Sequence, residues 1–315
     1  MSARNWTATA IALVALLCGP AAEAQAPSGS ASAPATEPAK PSEAQLLQAL
    51  REAEEQSGPN SGATLRALLA LVPVYRDQPA RAADFSRLLD RIVAILDEAK
   101  LGEDPLTATL LDAAGRSYLS QARYAEALAR LQRSLAIREK VLGPEHPDVA
   151  QSLNNLAELY RAMGQFAEAL PLYRRSLAIF EKALGPEHSL VATSLNNLAL
   201  LYRDMGQYAE ALPLHRRGLA IREKVHGPEH PDVATSLNNL ASLYRDMGQY
   251  AEALPLFRRS LAIREKVHGP EHPAVATSLN NLASLYRAMG QYAEALPLYR
   301  RSLAIREKVH GPEHP

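Results

Sequence analysis

Residues 231–272 read PDVATSLNNLASLYRDMGQYAEALPLFRRSLAIREKVHGPEH, and residues 273–314 repeat them with only three changes. The changes are Asp232 to Ala274, Asp246 to Ala288 and Phe257 to Tyr299. The same 42-residue unit occurs in less similar form at 147–188 and 189–230, and an older, divergent copy occupies 105–146. A chain built from one repeated unit is typical of proteins whose units stack and bury a shared core.

The first half of each unit is predicted to be a helix. In 231–272 it begins at Pro231, where the missing backbone N–H has no cost, and His230 is the predicted N-cap. Gly248 is predicted to end it. The apolar residues lie on one helical stripe, formed by Val233, Leu237, Leu240 and Tyr244.

The second half predicts another helix, from about Tyr250 to Val267, which Gly269-Pro270 terminates. Ala241 in the first helix and Ala253 in the second are small where larger side chains would hold the helices apart. We therefore expect a closely packed antiparallel pair.

The pattern Leu-x-x-Leu-Ala-x-x-Tyr-x-x-x-Gly-x-Tyr-x-x-Ala-x-x-x-Phe/Tyr resembles a tetratricopeptide repeat. The 42-residue length, Leu-Asn-Asn-Leu-Ala, Ala-Leu-Pro-Leu and Gly-Pro-Glu-His-Pro resemble the kinesin light chain type of that repeat. The resemblance implies an all-α fold, a right-handed superhelical solenoid of antiparallel helix pairs. It also implies that the first helices line a concave surface that holds extended peptides.

Carried onto this chain, that surface gives three ladders of residues on the face opposite the apolar stripe, and two of them are the candidate peptide-binding residues. The asparagine ladder consists of Asn154, Asn155, Asn196, Asn197, Asn238, Asn239, Asn280 and Asn281. The arginine ladder consists of Arg161, Arg203, Arg245 and Arg287. A third, variable ladder holds Glu158, Leu200, Ser242 and Ser284. We expect these faces to be exposed to solvent.

The chemistry of the ladders suits a peptide partner. An asparagine amide carries a donor and an acceptor, which match the N–H and C=O groups of an extended chain. Arginine matches carboxylates, so the partner is expected to carry acidic residues. Asp204 and Asp246 lie beside two of the arginines, and the alternative is that they simply pair with them.

The composition excludes several other functions. Lys plus Arg and Asp plus Glu each number 34, and a net charge of zero argues against a nucleic-acid partner. Cys18 is the only cysteine, so neither an internal disulfide nor a cysteine-based zinc site is expected. Gly and Pro interrupt His226-Gly-Pro-Glu-His230, which is therefore not a helical metal motif. We expect no metal, no cofactor and no enzyme activity, because an active site is a unique constellation and this chain is repetitive.

The N-terminal region predicts export. Arg4, an apolar run too short to span a membrane and Ala22-Glu23-Ala24 form a signal-peptide layout over residues 1–24. Cys18 leaves lipidation as an alternative. Residues 25–42 are a linker rich in Ala, Pro and Ser. A bacterial periplasmic or secreted location is expected.

The two ends of the array differ. Residues 43–104 are predicted to form a helical N-terminal cap with a degenerate repeat. At the other end, Leu296, Leu303 and Ile305 are expected to be exposed. A fragment of a longer protein, end-to-end self-association and a frayed last repeat are the three explanations.

These observations predict a non-catalytic scaffold that binds protein or peptide partners. Two alternatives stay open. The first alternative is that the chain is the regulatory part of a truncated or split enzyme, as in repeat arrays followed by a caspase-like CHAT domain. The second is that it is a structural spacer.

Overall fold

The computed structural model describes residues 41–76, 78–98 and 103–310. These residues form thirteen α-helices and no β-strand, which confirms the predicted all-α repeat solenoid. The predicted signal peptide lies outside the described residues, as does the linker up to residue 40. The helices are α1 (Glu43–Ser57), α2 (Gly62–Arg76), α3 (Ala82–Glu98), α4 (Pro105–Ser120), α5 (Tyr124–Leu142), α6 (Pro147–Ala162), α7 (Phe166–Leu184), α8 (Ser189–Asp204), α9 (Tyr208–His226), α10 (Pro231–Asp246), α11 (Tyr250–His268), α12 (Pro273–Ala288) and α13 (Tyr292–His310).

The chain divides into two compact units, the first ending at Leu159 and the second starting at Tyr160, within α6. In the first unit, α2 and α3 bury their apolar faces together with α4. Leu46, Leu47 and Leu50 of α1 pack against the edge of this core. No described helix has the length and apolar character needed to cross a bilayer.

The helix pair of the repeat forms as its sequence predicts. Helix α10 ends where Gly248 adopts a φ of +74°, a conformation that favours glycine. The next N–H, that of Gln249, donates to the carbonyl of Tyr244 at 2.8 Å and closes the helix end. Ala241 and Ala253 are completely buried, so the predicted close approach of the two helices is confirmed.

A histidine caps the first helix of several repeats. The Nδ1 atom of His230 accepts a hydrogen bond from the backbone N–H of Asp232 at 3.2 Å, which confirms its predicted role. His188 and His272 cap α8 and α12 in the same way. Because Nδ1 is the acceptor, the neutral ring carries its proton on Nε2.

The junctions between repeats of the second unit reuse the same polar contacts. An arginine of one second helix donates to a buried tyrosine hydroxyl of the next repeat: Arg174 to Tyr202 at 2.6 Å, Arg216 to Tyr244 at 2.5 Å and Arg258 to Tyr286 at 2.7 Å. A second arginine pairs with a glutamate of the preceding repeat: Arg217 with Glu181, Arg259 with Glu223 and Arg301 with Glu265. The similarity of the repeats therefore corresponds to a contact that is copied at each junction.

The expectation for the last repeat is correct for two of three residues. Leu296 and Leu303 of α13 are 51% and 56% exposed. The expectation for Ile305 is wrong, because this side chain is 2% exposed and packs with Val275 and Leu279 of its own first helix. Two different apolar faces are present on α13, and only one of them is covered within the repeat.

The turn between α4 and α5 contains a residue in an unfavourable conformation. Ala122 has a φ of +56°, and glycine occupies the equivalent position at Gly164, Gly206, Gly248 and Gly290. We expect Ala122→Gly to raise the free energy of unfolding by roughly 0.5–1 kcal/mol, because the left-handed strain of alanine exceeds the chain entropy that glycine adds. Denaturation in urea would measure the change. The control is Ala129→Gly on the exposed side of α5, which should destabilise by a similar amount; a loss of stability in both variants would contradict the expectation.

Candidate peptide-binding surface

The first helices of the repeats form the inner side of the second unit. The consecutive first helices α8, α10 and α12 contact one another. Among the described residues of this unit, the backbones of the consecutive second helices α7, α9, α11 and α13 stay farther apart, and long side chains such as Arg217 and Glu181 bridge them. The candidate peptide-binding residues of α8, α10 and α12 therefore lie on the more tightly curved side of this unit.

The solvent-accessible part of each first helix is a narrow strip. On α10 it comprises Thr235, Asn238, Asn239, Arg245 and Asp246, all at least partly exposed. On α12 the equivalent residues are Thr277, Asn280, Asn281, Arg287 and Ala288. The threonines were missed by sequence reasoning, although their spacing of three to four residues from the asparagines would have placed them on the same face.

The asparagine ladder is less exposed than expected. Asn154, Asn155 and Asn196 are only 6%, 4% and 9% exposed, so the expectation of a solvent-facing position is wrong for these three. Asn197, Asn238, Asn239, Asn280 and Asn281 are half-buried. The physical reason is that a first helix in a stack is flanked by other helices on more than one side, which a helical wheel drawn for one isolated pair does not represent.

Part of the ladder bonds to itself. The Nδ2 of Asn239 donates to the Oδ1 of Asn196, and the Nδ2 of Asn281 donates to the Oδ1 of Asn238, both at 2.8 Å. Each bond links one repeat to the next. The Nδ2 of Asn238 and the Oδ1 of Asn239 make no hydrogen bond to another described residue. Asn238 and Asn239 together therefore keep one amide donor and one amide acceptor for a ligand.

The arginine ladder is largely neutralised by aspartates. Arg161 pairs with Asp204 at 2.6 Å and Arg203 with Asp246 at 2.7 Å, each pair joining adjacent repeats. The alternative that Asp204 and Asp246 pair with the arginines beside them is correct for Asp246 and Arg245, but each aspartate also pairs with an arginine of the preceding repeat, Arg161 or Arg203. Arg245 contacts Asp246 of its own helix at 3.0 Å, because Ala288 takes the place of the next aspartate.

Positive charge consequently accumulates at one end of the strip. Arg287 is exposed and forms no ion pair with another described residue. Arg245 shares its single aspartate with Arg203. The strip is therefore close to neutral along α8 and basic from the end of α10 to the end of α12. The variable ladder adds the half-buried Glu158, Leu200 and Ser284 and the buried Ser242, a different side chain in most repeats.

A buried histidine lies behind the strip. His215 of α9 is 2% exposed, and its Nε2 makes no hydrogen bond. Burial, together with the positive charges of Arg203 and Arg222, lowers its pKa to about 4. Sequence reasoning missed it, although the aligned repeats contain Tyr173, Phe257 and Tyr299 at the same position.

Helix α9, which carries His215, also lacks a buried serine side chain that other repeats have. Ser260 and Ser302 donate to first-helix carbonyl groups at 2.7 and 2.8 Å. Gly218 stands at their position in α9, so this hydrogen bond is missing there. The repeat at 189–230 therefore packs its two helices with one hydrogen bond fewer than the repeats at 231–272 and 273–314.

Buried arginines form a second electrostatic feature. Arg138 and Asp112 of the first unit are 6% and 4% exposed and form an ion pair, and Arg138 also donates to Ser152 at 2.8 Å. In the second unit, Arg222 is 8% exposed and donates to Ser236 at 2.9 Å and to the carbonyl of Asp232 at 3.2 Å. Burial lowers the pKa of Arg222.

The described residues contain no group of three or more His, Cys, Asp or Glu side chains that could hold a metal ion. The histidines of the loop after α9 instead contact each other: the rings of His226 and His230 stack with centroids 4.5 Å apart. His268 and His272 repeat this contact.

Comparison with known proteins gives a consistent result. The family model described as Tetratricopeptide repeat matches residues 86–140, 106–182, 148–224, 190–266 and 232–308. A crystal structure from Podosopora anserina, described as kinesin light chain nearly identical TPR-like repeats, is 35% identical, with a TM-score of 0.55 over 66% of this chain and 99% of the other. No curated protein sequence matches.

Two less similar structures share the fold alone. BtubC (BKLC) from P. vanneervenii is 23% identical over 86% of this chain and 94% of its own, with a TM-score of 0.50. The apo form of RapI is 19% identical over 84% of this chain and 91% of its own, with a TM-score of 0.63.

Proposed function

Because the chain belongs to the tetratricopeptide repeat family, with repeats of the kinesin light chain type, we propose that it is an exported scaffold that binds an extended peptide along the strip. This repeat fold is commonly a protein-interaction scaffold, and the family is generally non-catalytic. The proposed occupant is a segment of a partner protein that carries acidic residues.

The observation that carries the proposal is the unused hydrogen-bonding capacity of the asparagine ladder. After the bonds between repeats are made, the Nδ2 of Asn238 and the Oδ1 of Asn239 remain available on half-buried side chains. Asn280 and the Oδ1 of Asn281 offer the same pair one repeat further. A donor and an acceptor repeated along a line match the backbone of an extended peptide without reading its side chains.

The basic end of the strip supports an acidic partner. Arg245 and Arg287 project from the last turns of α10 and α12, with only Asp246 to balance them. A carboxylate in this region gains charge-assisted hydrogen bonds, which are stronger than neutral ones. The peptide is therefore proposed to place its acidic residues toward α12.

The proposal includes export from the cell, and each of the two alternative functions makes a different prediction for the strip. The signal-peptide layout of residues 1–24 supports a periplasmic or secreted protein. The regulatory part of a split enzyme would bind partners through the same strip, but a caspase-like protein would be among them. A structural spacer would leave the strip empty.

The test is a pull-down with the full chain expressed in the source cells and recovered from the exported fraction. A partner should be captured by the parent chain, and Asn238→Ala with Asn280→Ala should reduce the captured amount at least about tenfold, the effect of losing two hydrogen bonds. Arg259→Ala is the control. It breaks a contact between adjacent repeats, the ion pair of Arg259 with Glu223 at 2.7 Å, but lies on the second helices and leaves every asparagine of the strip in place.

Thermal unfolding of all variants would check that the fold survives. Equal capture by the double variant and the parent chain, or no capture by either, would reject peptide binding in the strip. Recovery of the chain only from the cytosol would reject export.

A further inference from the structure

The strip presents its free amide groups at a regular interval. On α10 these groups are the Nδ2 of Asn238 and the Oδ1 of Asn239, which make no hydrogen bond to another described residue. Asn280 and Asn281 occupy the same positions on α12. The Nδ2 of Asn281 bonds to Asn238 as the Nδ2 of Asn239 bonds to Asn196, so Oδ1 is the free atom of both residues. One donor and one acceptor therefore recur once per repeat.

The contact between first helices sets the length of this interval. Helices α10 and α12 contact each other, and the 2.8 Å bond between Asn281 and Asn238 joins them. Helices that pack against each other have axes about 8–10 Å apart. Because α12 repeats the residues of α10, equivalent amide groups of the two helices are also about 8–10 Å apart.

Among the regular peptide conformations, polyproline II matches both the interval and the free groups. A β-strand returns to the same orientation after two residues, a step of about 6.6 Å, and its third residue presents the opposite edge. An α-helix uses its N–H and C=O groups internally. A polyproline II helix returns to the same orientation after three residues, a step of about 9.3 Å, and leaves its backbone groups unbonded.

The strip contains no large apolar side chain that would select a particular peptide residue. The exposed or half-buried side chains of α10 are polar apart from Pro231, and those of α12 are polar or belong to proline and alanine. Ser242 and Ser284, which lie between the asparagines and the arginines, are small. This surface therefore favours recognition of the peptide backbone, which depends on the period of the peptide and not on its side chains.

We infer, on the basis of the proposed function, that the peptide bound along the strip is a proline-rich segment in the polyproline II conformation. Every third residue of this segment is a contact residue, one over α10 and the next over α12. The Nδ2 of Asn238 donates to the carbonyl of the contact residue, and the Oδ1 of Asn239 accepts its N–H. Proline has no N–H, so the contact residue must be another amino acid. Prolines at the two other positions stabilise the bound conformation before binding.

Two acidic proline peptides of equal length test the period. The triplet peptide is (Pro-Pro-Glu)5 and the alternating peptide is (Pro-Glu)7-Pro. The alternating peptide carries more N–H groups and more negative charge, but its glutamates are never three residues apart. In titrations of the full chain followed by fluorescence anisotropy, the triplet peptide should bind at least about tenfold more tightly, the effect of engaging a second donor and acceptor.

Variants of the chain locate the contact. Asn238→Ala removes the donor of α10, so the ratio of the two dissociation constants should fall to about threefold or less, the effect of losing one hydrogen bond. Arg259→Ala changes the second helices and should leave the ratio as it is in the parent chain. Thermal unfolding checks that both variants fold.

Equal affinity for the two peptides, or tighter binding of the alternating peptide, would overturn the polyproline II period. If Asn238→Ala then weakened both peptides alike, the strip would still bind a peptide and the proposed function would stand. Failure of both peptides to bind at about 1 mM would also overturn the inference, and the pull-down with the parent chain would decide separately on the proposed function.

Discussion

Replacing His215 with phenylalanine is expected to stabilise the protein and to remove about 3 kcal/mol of pH dependence from its unfolding, since each pKa unit corresponds to about 1.4 kcal/mol. The pKa of His215 is about 4 in the folded protein against 6.5 for an ordinary histidine. Between these values the unfolded chain binds more protons, so the free energy of unfolding falls as the pH drops from about 7 to 4. Phenylalanine has no proton to bind and leaves no unpaired buried nitrogen.

The measurement is urea unfolding of the parent chain and His215→Phe at several values between pH 4 and pH 7. Other groups titrate equally in both proteins, so the difference between the two curves isolates His215. It should widen as the pH falls. Parallel curves would show that this histidine is not responsible.

The reciprocal variant, Phe257→His, is the matched control. Phe257 is 1% exposed, and Arg245 and Arg264 are the residues of its repeats that correspond to Arg203 and Arg222, 42 positions earlier. This variant should lose stability at all pH values and gain a second pH dependence of the same sign. A position that tolerated histidine without either effect would contradict the role of burial.

Asp112→Ala is expected to lower the free energy of unfolding by roughly 3–5 kcal/mol, the usual cost of breaking a buried ion pair. Asp112 and Arg138 are both almost fully buried, and the substitution leaves the guanidinium without a carboxylate. Unfolding in urea at neutral pH would measure the loss. A change below about 1 kcal/mol would indicate that the remaining hydrogen bonds to Ser152 and to the Asp148 carbonyl satisfy Arg138.

The other repeats supply the controls for this experiment. Their residues at the position of Asp112 are asparagines, and Arg222 is buried with only hydroxyl and carbonyl acceptors. Asp112→Asn should therefore cost less than Asp112→Ala. Phe180 replaces the arginine in the repeat at 147–188, so Asp112→Asn combined with Arg138→Phe should recover most of the lost stability.

The helices were predictable because their signals are local. Pro231, Gly248 and Gly269 mark boundaries, and the spacing of Val233 and Leu237 defines the buried stripe, all within one repeat. The cap at His230 follows from its position before Pro231. None of these features depends on the neighbouring repeats.

The candidate site was less predictable because its exposure depends on stacking. A helical wheel places Asn196 opposite the apolar stripe, but Asn239 of the next repeat bonds to it. Ile305 was expected to be exposed, yet the first helix of its own repeat covers it. The pairing of Arg203 with Asp246, 43 residues away, joins two repeats, whereas sequence reasoning considers only the arginine next to each aspartate.

The repeated junctions also have a consequence for how the chain finds its fold. Since α8, α10 and α12 carry almost the same contact residues, a second helix such as α9 gains similar contacts from the correct neighbour and from one that is 42 residues out of register. Partly folded states with helices packed one repeat out of register therefore have free energies similar to that of the correctly packed state and compete with it during folding. The positions at which the repeats differ include Asp112, Phe180, His215 and Gly218. At these positions the contacts of the correct register differ from those of a shifted one, so they favour the correct register.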